Sequence, residues 1–252
     1  MLVESSAVVL RTRQFGDTSL LATVYTQQFG KCTVLAKGAR TAGSSHRAVL
    51  EVPNHTYLAF YRSPRREVFL VRTAELQECF PRIRSSIEPT AAAFLIVESM
   101  LLTQQPDEPN PALYSLLVQA LRAVEQSTHT PFAVAIAFLL RLASALGFAP
   151  SLQLQTTASE PTLSFVFRTD DGALIPLPHH SKGTVLQTAE VEFLRTLQRL
   201  PLELASQVDI PTELAHRLAQ GLTQYLQHHL ERPLRFRSLE LWNIRPVSPS
   251  AE

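Results

Sequence analysis

The hydrophobic pattern of the chain changes once, near residue 80, from short alternating runs to the longer period of α-helices. Before that point, runs rich in β-branched and aromatic residues alternate with the turn-forming residues Gly, Asp, Ser and Pro. They predict five strands, over residues 7–13, 20–26, 32–37, 55–62 and 67–72. Five short strands in about seventy residues are typical of a small barrel of the OB type.

After residue 80 the pattern predicts helices, which begin at Ser or Pro and end near Gly. The predicted helices cover residues 91–102, 111–125, 131–146, 188–200 and 212–230, with one hairpin of residues 163–168 and 173–177. The fold class is therefore predicted as α+β: an N-terminal OB-fold β-barrel, then an α-helical bundle with a small β-hairpin insertion. The predicted domains are an OB domain (1–80), a helical domain (81–150), the insertion (151–185), and C-terminal helices packing on the helical domain with a basic tail (186–252).

Charge is spread unevenly along the chain. Residues 1–84 carry twelve Lys and Arg against six Asp and Glu, whereas residues 85–252 carry eleven against sixteen. The net charge of +1 hides this basic N-terminal part. A basic β-module is the usual electrostatic signature of a domain that binds nucleic acid.

Several other classes of protein are disfavoured. The two cysteines, Cys32 and Cys79, are too few for a disulfide framework, so a reducing compartment is expected. No export signal or membrane-spanning run is visible, which predicts a cytoplasmic protein without a membrane partner. No Gly-rich phosphate loop occurs, and Asp170-Asp171 precedes Gly172 as a turn would. No catalytic residue, cofactor or metal is therefore predicted.

Particular residues in the first half of the chain add a resemblance. The N-terminal domain of the bacterial recombination mediator family RecO is similar to Val9–Arg13, Asp17-Thr18-Ser19, Tyr25-Thr26, Gly30 and Ala36-Lys37-Gly38-Ala39-Arg40. The similarity continues through Leu50, Ala74-Glu75-Leu76, Leu139-Leu140-Arg141, Gly147-Phe148-Ala149-Pro150 and Arg232-Pro233-Leu234-Arg235. It thus extends over nearly the whole chain.

The resemblance implies an OB domain, a helical bundle and a zinc-ribbon-like insertion. It also implies a protein that is not an enzyme, binds single- and double-stranded DNA and anneals complementary strands. With the partner RecR, such a protein helps to load RecA onto DNA coated by single-strand-binding protein, whose acidic C-terminal tail it receives. It would be associated with the nucleoid.

The chain departs from the family at the insertion. Many members carry paired cysteines there, but residues 152–158 contain none. His179 and His180 lie where a second pair would fall, and two adjacent histidines do not supply the four spaced ligands of a structural zinc site. A metal-free insertion is therefore expected. Glu51 places an acid in the region expected to face DNA.

The candidate DNA contacts are cations and one aromatic residue of the predicted barrel. Lys37 and Arg40 bracket a glycine that permits close approach to phosphates, and Arg11 and Arg13 share one strand face. Tyr61 is expected to be exposed for base stacking, because alternation buries one of Phe60 and Tyr61. The full set is Arg11, Arg13, Lys31, Lys37, Gly38, Arg40, Arg47, Tyr61, Arg62, Arg65 and Arg66. The alternative is that these cations only solvate a hairpin end or protect an edge strand.

Two weaker sites are predicted in the helical half. Phe138, Arg141 and Leu142 are candidates for an apolar pocket with a cation that receives the carboxylate of the single-strand-binding protein tail. A core helix with one surface arginine is the alternative. Arg232, Arg235 and Arg237 are candidates for a second basic surface, or simply cations after a helix.

Two other functions remain open at this stage. The barrel could be an OB-fold interaction adaptor whose basic face binds an acidic protein. The chain could also be a divergent metallonuclease, which would need a carboxylate cluster that the sequence does not show.

Overall fold

The computed structural model describes residues 1–152, 164–177, 183–231 and 233–243. The N-terminal part forms a closed barrel with the strand order β1-β2-β3-β5-β4. Its strands are β1 (Leu2–Phe15), β2 (Ser19–Thr26), β3 (Gly30–Ala36), β4 (His55–Tyr61) and β5 (Val68–Glu78). The α+β class and the five-stranded barrel expected from the sequence are confirmed.

Inside the barrel, alternate apolar side chains of all five strands form one core. This core includes Val9, Ala22, Val34, Leu58, Phe60 and Phe69, each at most 3% exposed. The pair β3–β5 is parallel and the other neighbouring pairs are antiparallel. The period of two in each strand sends the intervening side chains outward.

A β-bulge in β1 decides which of its side chains point outward. Val9 pairs with Val24 and Arg11 with Thr23, so Leu10 is the extra residue. Val9 lies in the core, and strict alternation would have sent Arg11 there as well. The bulge restores the outward direction for the residues that follow, which is a known use of such irregularities.

The remaining elements are mostly helical. They are α1 (His46–Val49), α2 (Pro81–Ser85), α3 (Ile87–Thr103), α4 (Pro111–Gln126), α5 (Phe132–Ala145), β6 (Ser164–Arg168), β7 (Leu174–Pro176), β8 (Gly183–Gln187), α6 (Thr188–Arg199), α7 (Leu202–Ala205), α8 (Thr212–His229) and a 3₁₀ helix (Ser238–Asn243). The predicted hairpin is β6–β7, and β8 makes it a three-stranded sheet in the order β7-β6-β8. The sequence pattern did not predict β8, α1, α2, α7 or the 3₁₀ helix, because segments of four to six residues are too short to show a period.

The chain divides into two compact units that do not follow chain order. One contains Met1–Arg82 together with Val97–Arg122, and the other contains Ile83–Ile96 and the rest of the chain. The segment Val97–Arg122 is therefore part of the barrel's unit. Within the described residues, no helix is both long and apolar enough to cross a membrane.

In the barrel's unit, α4 is joined to β4 and β5 by a chain of polar side chains. The His55 ring contacts Glu78 through Nδ1 at 2.9 Å and the Tyr114 hydroxyl through Nε2 at 2.6 Å. Arg122 of α4 donates to the same Glu78, from Nε to Oε2 at 2.8 Å. Chiefly because of this Arg122 contact, the pKa of Glu78 falls to about 2.

Candidate nucleic-acid interface

The outward side chains of β1, β2 and β3 form an ordered surface, which we call the β1–β3 face. Its rows follow from the strand register: Arg11 pairs with Thr23, which pairs with Thr33, and Arg13 pairs with Leu21, which pairs with Leu35. In the last row Phe15 pairs with Ser19, and Lys37 follows Ala36, the partner of Leu20. The face thus carries Arg11, Arg13, Phe15, Ser19, Leu21, Thr23, Thr33, Leu35 and Lys37.

The three cations of this face are available to a ligand. Arg11, Arg13 and Lys37 are all exposed, and within the described part of the chain none of them has an ion-pair partner. Alternate residues of a strand lie about 6.6 Å apart, so Arg11 and Arg13 project side by side. The exposed carboxylate of Asp17 lies in the loop at one end of the face. Positive charge therefore predominates on the β1–β3 face.

Lys37 and Arg40, which the sequence predicted as a pair of phosphate contacts, differ in their exposure and in their hydrogen bonds. Gly38 between them adopts a positive φ of 66°, as the sequence analysis expected of a turn glycine. Lys37 is exposed, but Arg40 is half-buried and its Nη1 donates to the carbonyls of Gly16 at 3.4 Å and Asp17 at 3.1 Å. Arg40 thus binds the loop between β1 and β2, whereas Lys37 is open to solvent. Arg47, on α1, is also exposed.

The second group of predicted residues lies at the other end of the barrel. Because β4 runs antiparallel to β1, Tyr61 pairs with Leu2 at the start of β1, whereas Phe15 lies at its end. Tyr61 is 47% exposed and Phe60 is fully buried, as alternation predicted. Arg65 and Arg66 are exposed in the loop that follows. The predicted contacts therefore form two groups and not one patch.

Two predicted cations at that end are engaged inside the unit. Lys31 is half-buried and its Nζ donates to the carbonyl of Leu101 at 3.0 Å. Arg62 pairs with Asp107 at 2.9 Å and lies over the Phe29 ring at 5.3 Å. Lys31 and Arg62 therefore have partners within the unit, and their contact with DNA stays a prediction. Sequence alone could not find them, because the partners lie about forty to seventy residues away in the chain.

Comparison with known proteins decides the family. The model described as "Recombination protein O N terminal" matches residues 1–80, and the one described as "Recombination protein O C terminal" matches residues 84–238. The chain belongs to the RecO family. The resemblance noted in the sequence is confirmed, and RecO membership gives the chain a role in DNA repair and recombination.

Three curated relatives are similar to this chain, two of them over nearly their whole length. DNA repair protein RecO of Prosthecochloris aestuarii is 27% identical, over 98% of this chain and 99% of that protein. The protein of the same name from Chloroherpeton thalassium is 28% identical, over 96% and 98%. The one from Salinibacter ruber is 31% identical, over 69% of this chain and 67% of its own length.

The pocket predicted in the helical part of this RecO chain is not open at its central residues. Phe138 and Leu142 are fully buried in α5. The Arg141 guanidinium donates to the carbonyls of Ala137 at 2.9 Å and Leu197 at 3.3 Å, and also to that of Leu200. Burial lowers the pKa of Arg141. Phe138 and Leu142 therefore pack inside the helical part, and the proposed contact of these residues with a protein tail stays a prediction.

The remaining predicted features are only partly described. Arg235 and Arg237 are exposed after α8, while Arg232 lies outside the described residues. His179, His180 and residues 153–158 also lie outside them, so the metal-free insertion remains a prediction. Among the described residues, no group of three His, Cys, Asp or Glu is arranged to hold a metal ion.

Proposed function

We propose that this RecO-family chain is a non-catalytic recombination mediator that binds single- and double-stranded DNA and anneals complementary strands. With RecR it would help to load RecA onto DNA coated by single-strand-binding protein, whose C-terminal tail would be a further contact. It would act in the cytoplasm on DNA of the nucleoid. The family membership supports the repair role, and the β1–β3 face supports DNA as the ligand.

The observation that carries the proposal is the set of exposed cations on this face that have no ion-pair partner in the described part of the chain. A phosphate backbone releases counterions when Lys or Arg neutralises it, so each contact makes affinity depend more steeply on salt. Arg11, Arg13 and Lys37 need no rearrangement to make such contacts, because no carboxylate of the described residues forms an ion pair with them. Arg65 and Arg66 would extend the path around the other end of the barrel.

The test is fluorescence-polarisation binding of an unstructured single-stranded oligonucleotide over a salt series. We expect the double variant Arg13→Gln/Lys37→Gln to flatten the log–log slope by about 1.4 units and Arg13→Gln alone by about 0.7, because each phosphate contact on a single strand contributes about 0.7. Arg199→Gln is the control, since it removes one exposed charge from α6 and should leave the slope unchanged. Equal slopes for the double variant and wild type would move the interface away from this face.

The same double variant tests annealing and the choice between DNA and protein as ligand. Annealing of complementary oligonucleotides coated with single-strand-binding protein should slow in parallel with the loss of DNA affinity. A wild-type chain that binds no DNA at low salt, but binds an acidic protein in a salt-sensitive way, would support the interaction adaptor instead.

A further inference from the structure

Phe15 is an exposed aromatic residue that the sequence analysis did not select. It is 52% exposed and makes the last pair of β1, with Ser19, before the loop of Gly16, Asp17 and Thr18. A single aromatic ring held in solvent loses the free energy that burial would give it. Phe15 is not a member of the barrel core, so packing of the core does not explain its position.

The loop beside the ring is fixed by Arg40. The Arg40 guanidinium binds the carbonyls of Gly16 and Asp17, and its backbone N–H donates to the Thr18 carbonyl at 2.8 Å. All three loop residues are thus joined to the turn after β3. Such contacts fix the backbone of the loop next to Phe15 before any ligand arrives, which lowers the ordering cost of binding.

The surroundings of the ring favour a nucleic acid over an apolar protein surface. Arg13 precedes Phe15 by two residues on the same face, and Lys37 lies in the same row beyond Ser19. The nearest apolar neighbour on the face, Leu21, is only 4% exposed, so among the described residues of this face no wide apolar patch surrounds the ring. One ring between two cations matches a base with its flanking phosphates.

We propose that Phe15 stacks on a base of single-stranded DNA and that Arg40 is the positioning residue that presents it. The proposal rests on the DNA binding proposed above and adds its preference for unpaired bases. A base in a duplex is already stacked and paired, so the ring gains nothing there. Arg40 acts through the loop and not on a phosphate, in contrast to Lys37.

The first test compares Phe15→Leu with wild type on single-stranded and duplex oligonucleotides. We expect single-strand affinity to fall about tenfold, with the salt slope and duplex affinity unchanged, because a stacking contact is lost and no charge is removed. Leu keeps an apolar side chain at an exposed site, and an unchanged melting temperature shows that the fold is intact. Unchanged single-strand affinity, or an equal loss on duplex, would overturn the assignment.

A direct signal comes from Phe15→Trp. The natural Trp242 is the chain's only tryptophan and is 3% exposed, so it contributes little response to ligand. A tryptophan at position 15 that stacks on a base should lose fluorescence on titration with single-stranded DNA and keep it with duplex. Tight binding without quenching would place the bases elsewhere on the barrel.

The Arg40 role is tested by Arg40→Lys, which keeps the charge but loses the planar group that reaches two carbonyls. We expect the same single-strand loss as in Phe15→Leu, an unchanged salt slope, and no additional loss in the double variant. A phosphate-contacting Arg40 would instead tolerate Lys. If wild type binds no DNA, the proposed function fails; if wild type binds and these variants behave like it, only the present inference fails.

Discussion

At the scale of single residues, Gly30 shows how closely the chain approaches itself in the barrel's unit. Its φ is +67°, and a Cβ there would meet the carbonyl of Glu108 well inside van der Waals contact and the Pro109 nitrogen at 2.9 Å. We expect Gly30→Ala to lower the free energy of unfolding by about 2–5 kcal/mol, from backbone strain and overpacking together. Urea denaturation measures this.

Gly43 separates the two causes. Its φ is +81°, but nothing lies within 4 Å of a built Cβ, so Gly43→Ala should cost only the strain of about 1–2 kcal/mol. Equal losses for the two variants would mean that Glu108 and Pro109 yield easily to a methyl group.

The residues that sequence analysis placed correctly are those fixed by local alternation. Tyr61 outward and Phe60 inward, or Gly38 in a turn, follow from neighbours in the chain. The roles of Lys31, Arg40 and Arg62 depend on carbonyls and a carboxylate from distant segments, so type and spacing could not reveal them. Phe15 was missed because the predicted first strand ended at residue 13, whereas β1, which contains the bulge at Leu10, extends to Phe15.

At the scale of elements, the same bulge explains why strand existence was predictable and strand register was not. Val8, Val9 and Leu10 are consecutive and all buried, which breaks the period of two. In the sequence, this apolar run was the feature that could have indicated a bulge. It is equally consistent with a regular strand that is buried on both faces. Register had to come from the pairing of Arg11 with Thr23.

The contact of α4 with the end of β5 gives a prediction about pH. Because Arg122, and then His55, bind the Glu78 carboxylate, its pKa falls from 4.5 to about 2. A lowered pKa in the folded state means stability that is present above pH 4.5 and is lost as the pH falls toward 2. We expect Glu78→Gln to cost about 1 kcal/mol at pH 7, and less as the pH falls through this window.

The measurement is urea denaturation of both proteins at several pH values between 3 and 7. Glu75→Gln is the matched control, since it removes an exposed carboxylate from the same strand without an ion-pair partner in the described structure. A gap between Glu78→Gln and wild type that stays constant down to pH 3 would show that the carboxylate charge is not what holds α4.

At the scale of the whole molecule, the charge distribution guided the proposal of a ligand and the hydropathy pattern guided the prediction of the fold. The net charge of +1 describes neither half of the chain, because the basic residues are concentrated in the barrel sequence. Phosphate contacts depend on local exposed cations and not on the total. The compact units could not be read from the sequence, since Val97–Arg122 joins the barrel from beyond the first predicted boundary.

The inclusion of Val97–Arg122 in the barrel's unit predicts how a truncated chain behaves. Tyr25 and Val8 point away from the barrel core as a strand pair, yet both are fully buried. Burial raises the pKa of Tyr25 to about 12, and an Asn110 backbone group is among its neighbours. Lys31, the partner of Tyr25 on β3, likewise forms a bridge with Pro106. Residues between α3 and α4 therefore cover this side of the barrel.

We expect a fragment of residues 1–82 to lack a cooperative thermal transition, because it would expose this apolar surface to water. A fragment of residues 1–126 retains the covering segment, and we expect it and the full chain to melt cooperatively. Circular dichroism at 222 nm during heating distinguishes the two, with the near-ultraviolet signal as a check on side-chain packing. If fragment 1–82 melted like the full chain, the barrel would be complete without Val97–Arg122, and its exposed β1–β3 face would then suffice to test DNA binding in isolation.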